Sequence, residues 1–277
     1  MSAMTTRPIP STREPLPVIG CGTWLGFDVS PGSAEHRRLP GVLDALFAAG
    51  GSLIDSSPMY GRAESVVGAL LAASGQREKA FLATKVWTSG REAGIAQMEQ
   101  SFQRLRTPRI DLLQVHNLVD WRTQLATLRE WKTQGRVRCL GITHYTASAY
   151  DEVEAVLRAQ PLDFLQINYS IDARQAEERL LPLAAERGIA VLANRPFQQG
   201  ALLRRLQRHP LPAWAEEIDC DSWAQVVLKF IISHPAITCA IPATRREGHV
   251  RENLAACRGR LPDEALRRRI AAHVAGP

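Results

Sequence analysis

Four side chains suited to proton transfer lie at or near the ends of short apolar runs in this sequence. Asp55 ends the run SLID, Lys85 lies near the end of FLATK, and His116 ends LLQVH. Tyr60 follows Asp55 by five residues. If these runs are parallel strands, their carboxyl ends share one rim, where parallel α/β folds place active sites. A carboxylate, an ammonium, an imidazole and a phenol on one rim predict an enzyme that moves protons.

The predicted chemistry depends on the tyrosine. A phenol has an ordinary pKa of about 10, so it exchanges protons poorly at neutral pH. A lysine ammonium about 4 Å away contributes roughly 4 kcal/mol at an effective dielectric of about 20, which lowers the phenol pKa by about three. Asp55 is expected to keep Lys85 charged. A neutral His116 is expected to orient a carbonyl oxygen while Tyr60 protonates it.

The elements that must position these residues form a repeat in which apolar runs alternate with segments of helical period, as in βαβ units. Several runs are apolar throughout, as expected of parallel strands covered on both faces. The runs span residues 18–24, 52–56, 80–87, 110–116, 137–143, 164–169, 189–194 and 238–244. The helix candidates span residues 42–49, 63–73, 92–105, 123–133, 149–158, 176–186, 223–233 and 246–257. We therefore predict an α/β fold, a single-domain (β/α)8 TIM barrel with its active site at the carboxyl ends of the strands.

An open, doubly wound sheet is the alternative fold. It would carry a Gly-x-Gly-x-x-Gly turn after the first strand. Gly20 and Gly22 supply two glycines, but Leu25 stands where the third is required. The barrel is therefore favoured.

Three segments lie outside the regular repeat. Residues 1–14 are predicted to form a flexible N-terminal arm, and residues 15–277 the barrel. An inserted loop at about 198–221 contains Pro210, Pro212 and Trp214, and residues 262–274 are predicted to form a C-terminal helix.

Composition limits the other functional classes. The 277 residues include five cysteines without metal-type spacing, so neither a metal site nor a disulfide framework is expected, and a reducing, cytoplasmic location is favoured. No stretch of the sequence resembles a signal peptide or is long and apolar enough to span a membrane, so no membrane association is expected. The net charge is +6, but the basic clusters fall in amphipathic helical patterns, so nucleic acid is not expected as a partner. A monomer or small homo-oligomer is expected.

The segment LIDSSPMYG followed by Glu64, then ATK, then IDLLQVH, resembles the aldo-keto reductase family. The resemblance covers roughly residues 18–256. Members of this family are (β/α)8 barrels that reduce aldehydes and ketones with NADPH or, less often, NADH. The resemblance implies a catalytic tetrad of Asp55, Tyr60, Lys85 and His116, in which Tyr60 is the general acid.

The segments that bind nicotinamide in this family are matched less completely. The segment GITHY resembles Gly-Val-Ser-Asn-Phe, which implies that Thr143 and His144 hold the carboxamide, although His144 replaces asparagine. Gln166 matches the glutamine that contacts the same group. Asn194 stands where an aromatic ring usually stacks on the nicotinamide. Arg195 replaces a small residue and is expected to reach the pyrophosphate.

Residues 241–253 resemble the family's site for the adenosine phosphate, at a helix N-terminus. Backbone N–H groups and the helix dipole favour an anion there, and arginine suits phosphate. NADPH is therefore expected in preference to NADH. The implied cofactor contacts are Thr244, Arg245, Arg246, His249, Glu252 and Asn253.

The expected substrate is a small-molecule carbonyl compound held by apolar side chains around the barrel mouth, which favour an apolar or aromatic compound. The expected pocket residues are Trp24, Met59, Trp87, Leu118 and Trp121.

Two other functions remain open. One is a nucleotide-binding regulatory protein with little or no catalysis, for which the departures at His144 and Asn194 are the best arguments. The other is a barrel hydrolase or lyase that uses no nicotinamide. The complete set of proton-transfer residues disfavours the first, and Gln166 together with Arg245 and Arg246 disfavours the second.

Overall fold

Eight parallel strands close into a barrel in the computed structural model, which describes residues 4–276. Each barrel strand pairs in parallel with the next along the chain. Bridges from Ile19 to Ala240 and from Gly22 to Ala243 join the first strand to the last. The predicted single-domain (β/α)8 barrel is confirmed. An antiparallel hairpin, β1 (Thr6–Pro8) and β2 (Pro15–Pro17), precedes the barrel strands β3 (Cys21–Gly22), β4 (Leu53–Asp55), β5 (Phe81–Val86), β6 (Ile110–His116), β7 (Val137–His144), β8 (Phe164–Asn168), β9 (Ala190–Asn194) and β10 (Cys239–Ala240).

Helices connect the barrel strands and cover their outer faces. Apolar residues of the strands and of the helices pack into one large core between the two layers. The helices are α1 (Leu39–Ala48), α2 (Ala63–Ser74), α3 (Arg91–Leu105), α4 (Trp121–Thr133), α5 (Tyr150–Ala159), α6 (Leu180–Glu186), α7 (Ala201–Leu206), α8 (Trp223–Ser233), α9 (Glu247–Ala255) and α10 (Glu264–Ala275).

The alternation of side chains along each strand decides which residues enter the barrel. Leu53 belongs to a second apolar cluster inside the barrel, whereas Ile54 faces the helices. Because successive side chains point to opposite faces, Asp55 returns to the interior. The same alternation places Lys85 and His116 inside. The barrel therefore holds an apolar layer below and a polar layer at the carboxyl ends of its strands.

The N-terminal segment differs from the flexible arm expected for residues 1–14. Residues 1–3 lie outside the described residues. From residue 4 onward the chain forms the β1–β2 hairpin, and Ile9 and Leu16 are buried in the inner cluster. The hairpin closes the bottom of the barrel because the apolar ends of the inner side chains would otherwise face water.

Two further segments differ in detail from the sequence-based expectation. The insertion at 198–221 is not an extended loop, because it contains α7 and a 3-10 helix, Ala213–Ile218. The helix expected over 176–186 divides into a 3-10 turn, Gln175–Glu177, and α6. Pro182 lacks an N–H and its ring excludes a helical carbonyl four residues earlier, so a continuous helix cannot form there.

Within residues 4–276, no helix is both long and apolar enough to cross a bilayer. The same residues contain no group of three or more His, Cys, Asp or Glu side chains placed to hold a metal ion.

We expect Arg7 to anchor the hairpin to the barrel. Its guanidinium donates to the backbone oxygens of Ile232 at 2.8 Å and His234 at 2.6 Å, and also to that of Ile237. Arg7→Ala should lower the free energy of unfolding by about 2 kcal/mol, because hydrogen bonds from a charged donor are lost. The loss of stability is measured by urea unfolding monitored by circular dichroism. Arg208→Ala is the control, because Arg208 is exposed and its side chain forms no hydrogen bond or ion pair with residues 4–276. Equal effects of the two substitutions would contradict the anchoring role.

Candidate active site

A buried ion pair occupies the centre of the polar layer. Lys85 Nζ lies 2.9 and 2.7 Å from the two carboxylate oxygens of Asp55 and donates to the backbone oxygen of Ser56 at 2.7 Å. Lys85 is fully buried and Asp55 is 3% exposed. Asp55 of β4 pairs with Ala83 of β5, two residues before Lys85. The pairing of these two strands therefore brings the carboxylate and the ammonium together.

Two glutamines support the carboxylate from the opposite strands. Gln166 Nε2 donates to Asp55 Oδ1 at 2.8 Å, and Gln114 Nε2 approaches the same oxygen at 3.5 Å. Gln114 is fully buried, yet the sequence analysis did not select it. The signal was its place two residues before His116, on the same face of the strand.

Tyr60 is held beside the ion pair by the loop that follows β4. Lys85 Nζ lies 5.1 Å from the centre of the Tyr60 ring. The next residue, Gly61, has a φ of +59°, and a Cβ there would lie 2.4 Å from the Asp28 carboxylate. Asp28 in turn accepts a hydrogen bond from the Arg62 N–H at 3.0 Å. A glycine after Tyr60 is therefore required for this loop to close.

The pKa values of Tyr60 and Lys85 show how burial and the ion pair with Asp55 affect the two groups. Burial raises the pKa of Tyr60, and the positive charges of Lys85 and Arg195 offset only part of that effect. The near-neutral pKa expected from Lys85 is wrong for this structure, because burial penalises the phenolate. Burial also lowers the pKa of Lys85, but Asp55 and Tyr60 outweigh it and the net shift is upward. The site therefore pairs a protonated phenol with a charged lysine.

His116 is a neutral imidazole in this setting. Burial, followed by the charge of Lys85, lowers the pKa of His116 to about 3. Its Nδ1 lies 3.3 Å from the Ser57 hydroxyl. The rings of Tyr60 and Trp87 lie 6.2 and 6.5 Å from the imidazole, centre to centre. All four predicted catalytic residues thus meet at one end of the barrel.

Glu64 supports this arrangement from behind the sheet. It is fully buried in α2 and accepts a hydrogen bond from the hydroxyl of Thr84 at 2.6 Å. Arg104 of α3 lies 3.4 Å from its other oxygen. Since Thr84 adjoins Lys85, this contact fixes the strand that carries the lysine.

The residues expected at the nicotinamide also lie on the polar layer. Thr143 donates to Gln166 Oε1 at 3.4 Å. The Nδ1 of His144 accepts the backbone N–H groups of Tyr145 and Thr146 at 3.1 and 3.2 Å, so a neutral His144 carries its proton on Nε2. The Asn194 Oδ1 is buried without a hydrogen-bond partner among the described residues.

Arg195 extends toward β7 rather than into solvent. Its guanidinium carbon lies 4.0 Å from the centre of the Tyr145 ring. The Tyr145 ring is itself stacked on that of His144, with 5.9 Å between centres and 18° between planes. Tyr145 was not among the predicted site residues, although it directly follows His144, a predicted cofactor residue.

The segment expected at the adenosine phosphate surrounds the start of α9. The Thr244 hydroxyl accepts the backbone N–H of Arg246 at 3.2 Å and lies 3.4 Å from His249 Nδ1. Arg245 and Arg246 are exposed, and Asn253 is buried on the helix. Glu252 is half-buried one residue earlier.

Exposed apolar side chains surround the mouth of the barrel. Each follows the carboxyl end of a barrel strand. The large hydrophobic residues that are exposed in the described part of the chain are Trp24, Leu25, Met59, Trp87 and Tyr145.

Two of the expected pocket residues are less exposed than the others. Leu118 is 6% exposed and packs in the core, and Trp121 packs against that core at the start of α4. Leu118 was expected at the mouth because it follows His116 by two residues. Its φ is +57°, within the turn that links β6 to α4.

The comparisons with known proteins agree with this geometry. The profile of the Aldo/keto reductase family matches residues 18–273. The methylglyoxal reductase YeaE of Escherichia coli strain K12 is 32% identical over 248 residues, which cover 87% of this chain and 85% of that protein. The chain belongs to the aldo/keto reductase family. It is thus an oxidoreductase, as the resemblance implied.

Other aldo-keto reductases differ in the cofactor that their names state. The NADH-specific methylglyoxal reductase of Escherichia coli is 28% identical, with 75% of this chain and 72% of that protein covered. The crystal structure of an aldo-keto reductase from Klebsiella pneumoniae in complex with NADPH has a TM-score of 0.83 at 26% identity, covering 100% of this chain and 97% of that one.

We expect the ion pair of this aldo-keto reductase to be strongly coupled. Lys85→Met leaves the Asp55 carboxylate buried without its counter-charge, which should lower the free energy of unfolding by about 3 to 5 kcal/mol. Adding Asp55→Asn should recover most of the loss. Urea unfolding at pH 7 measures both variants.

A matched control breaks an exposed pair. Arg91 Nη2 lies 2.6 Å from Glu130, with both side chains half exposed. Arg91→Met should cost less than about 1 kcal/mol. A Lys85→Met loss as small as this one, or a double variant no more stable than the single one, would contradict the coupling.

His116 should remain neutral well below pH 6.5. Because its pKa is about 3 in the folded chain, the unfolded chain binds an extra proton between pH 6.5 and 3, so His116 makes stability fall as the pH falls through that range. Ring ¹⁵N chemical shifts at pH 5 should show a neutral imidazole, and His116→Gln should flatten the loss of stability. An imidazolium signal at pH 5 is the contrary result.

Proposed function

We propose that this aldo-keto reductase reduces aldehydes or ketones to alcohols with NADPH, and that Tyr60, Lys85, Asp55 and His116 carry out the proton transfer. The observation that supports this most directly is the charged lysine buried between the Asp55 carboxylate and the Tyr60 ring. A positive charge in this position stabilises the negative charge that develops on the phenol oxygen when it loses its proton.

Tyr60 acts as the general acid in this proposal. It donates its proton to the carbonyl oxygen, and the phenolate that remains is stabilised by the ammonium of Lys85. Asp55 keeps that ammonium charged despite its burial. NADPH, when bound, supplies the hydride that adds to the carbonyl carbon. Hydride and proton together convert the carbonyl to an alcohol.

His116 orients the substrate. If the Ser57 hydroxyl donates to Nδ1, the neutral ring carries its proton on Nε2, which can then donate to the carbonyl oxygen. A charged imidazolium would compete with Tyr60 as the proton donor. The low pKa of His116 therefore favours the division of roles between the two residues.

The residues at the strand ends suit the nicotinamide carboxamide. The unpartnered Asn194 Oδ1 can accept an amide N–H, and burial makes such a partner valuable. Gln166, Thr143 and the Nε2–H of His144 offer further donors and acceptors. Asn194 holds the group by hydrogen bonding where other family members use an aromatic ring.

The start of α9 supports NADPH over NADH. Arg245 and Arg246 are exposed and form no ion pair with a carboxylate in the described part of the chain, so both can meet the 2′-phosphate. Thr244 and His249 adjoin them, and Glu252 and Asn253 lie one turn further along the helix, on the adenine side.

The exposed rim supports a small carbonyl substrate with apolar parts. Trp24, Met59 and Trp87 form the walls in this proposal. The methylglyoxal reductase and glyoxal reductase among the relatives act, by their names, on small dicarbonyl compounds.

Tyr60→Phe should reduce kcat for an aromatic aldehyde by a factor of about 10² to 10⁴, because the proton donor is lost while packing is kept. NADPH binding, measured by fluorescence titration, should be nearly unchanged. Turnover is followed as NADPH absorbance.

Tyr150→Phe is the matched control, since its hydroxyl donates to the backbone oxygen of Asn168 at 3.2 Å outside the reacting groups. It should retain activity. A wild-type protein that binds NADPH and turns over no member of a broad carbonyl panel would support the regulatory alternative.

A further inference from the structure

Arg195 is a cation without a counter-ion at the mouth of the barrel. Its guanidinium lies over the Tyr145 ring and forms no hydrogen bond or ion pair with any of the residues that the structure describes. The residue is half-buried. Contact through a ring face leaves the five N–H donors of a guanidinium unused, and arginine has no acceptor. The side chain is therefore prepared to bind an anion.

The backbone holds Arg195 in a conformation that favours this role. Its φ is +51°, a left-handed conformation that costs free energy for a residue with a Cβ. The turn lies directly after β9, and the side chain reaches across the end of β8 to Tyr145, the residue directly after β7. Backbone strain of this kind is concentrated at ligand-binding positions.

The charge of the guanidinium also reaches the reacting groups. It lowers the pKa of the Tyr60 phenol, though less strongly than Lys85 does. The other cation near Tyr60 is Lys85, which is already neutralised by Asp55. A ligand that reaches Tyr60 therefore meets one uncompensated positive charge.

We infer that Arg195, positioned by Tyr145, binds an anionic group of the substrate, so that the enzyme prefers carbonyl compounds that carry a carboxylate. This inference rests on the proposed carbonyl reduction and adds the substrate class. A carboxylate matches the forked N–H donors of a guanidinium, and the apolar rim accommodates the carbon skeleton between the two polar groups.

The same guanidinium chemistry could instead meet the cofactor pyrophosphate, as the sequence analysis expected. The contact with Tyr145 and the charge effect on Tyr60 favour the substrate, because both place Arg195 over the reacting end of the barrel rather than at the start of α9. The experiment must separate these two anions.

The test compares two aldehydes of nearly the same shape, 4-carboxybenzaldehyde and its neutral methyl ester, with NADPH as the reductant. Wild type should show a kcat/KM for the carboxylate higher by about tenfold or more, the scale of a charged hydrogen bond. Arg195→Gln should bring the ratio of the two kcat/KM values close to one, with the NADPH dissociation constant changing less than about twofold.

Arg122→Gln is the matched control. Arg122 also lies over an aromatic ring, 4.2 Å from the centre of Trp121, and its side chain forms no hydrogen bond or ion pair with the residues that the structure describes. Its replacement removes the same charge and should leave the carboxylate preference unchanged. Tyr145→Phe should keep the preference and Tyr145→Leu should reduce it, since only the aromatic face positions the guanidinium.

Each other outcome overturns the inference in a distinct way. An equal loss with both aldehydes together with weaker NADPH binding in Arg195→Gln assigns the guanidinium to the pyrophosphate. A preference that Arg195→Gln leaves intact excludes Arg195 as its source, and an absence of preference in wild type contradicts the substrate class.

If wild type turns over neither aldehyde, the proposed carbonyl reduction fails and calorimetric binding of benzoate and benzamide still tests Arg195. Benzoate binding that is tighter than benzamide binding, and that weakens about tenfold in Arg195→Gln, supports the anion site. Equal affinities of wild type and variant for benzoate overturn it.

Discussion

The buried ion pair of Lys85 and Asp55 is the interaction on which the rest of the site depends. Removing two charges from water costs free energy, and hydrogen bonds to both members of the pair offset part of that cost. The backbone oxygen of Ser56, directly after β4, accepts a hydrogen bond from Lys85, and Gln166 of β8 donates one to Asp55. The barrel must be closed and in register for those groups to meet. In return, a positive charge is held beside Tyr60 in a site where water screens it little.

Along the barrel axis, the residues that form the inner apolar core lie apart from the residues of the candidate active site. The lower part of the interior is apolar, and the β1–β2 hairpin covers it from below. The upper part carries the polar residues of the same alternating rows. Loops at that end are free to vary without disturbing the core. Tyr60 and Arg195 both lie on such loops. Gly61, next to Tyr60, and Arg195 itself both have a positive φ.

Several residues of the segments expected at the nicotinamide lie at one side of the mouth. His144, Tyr145 and Arg195 form a stack across the ends of β7 and β9, and the buried Oδ1 of Asn194, at the end of β9, has no hydrogen-bond partner among the described residues. The four proton-transfer residues lie on the other side, from β4 to β6. In the mechanism and the substrate preference that we propose, the reaction and the choice of ligand therefore belong to different strands. A change in ligand preference then need not alter the acid, the lysine or the histidine.

The sequence by itself determined the barrel, the strand ends that carry Asp55, Lys85 and His116, and the membership in a family, because period and residue order are local properties of the chain. The roles of Gln114 and Tyr145, the contact of Arg195, the burial of Leu118 and the raised pKa of Tyr60 were not predicted. These depend on which side chains meet across strands and on how much water is excluded. Burial and cross-strand register are set only when the sheet closes, so the tertiary structure alone decided the charge state of Tyr60 and the direction in which Arg195 points.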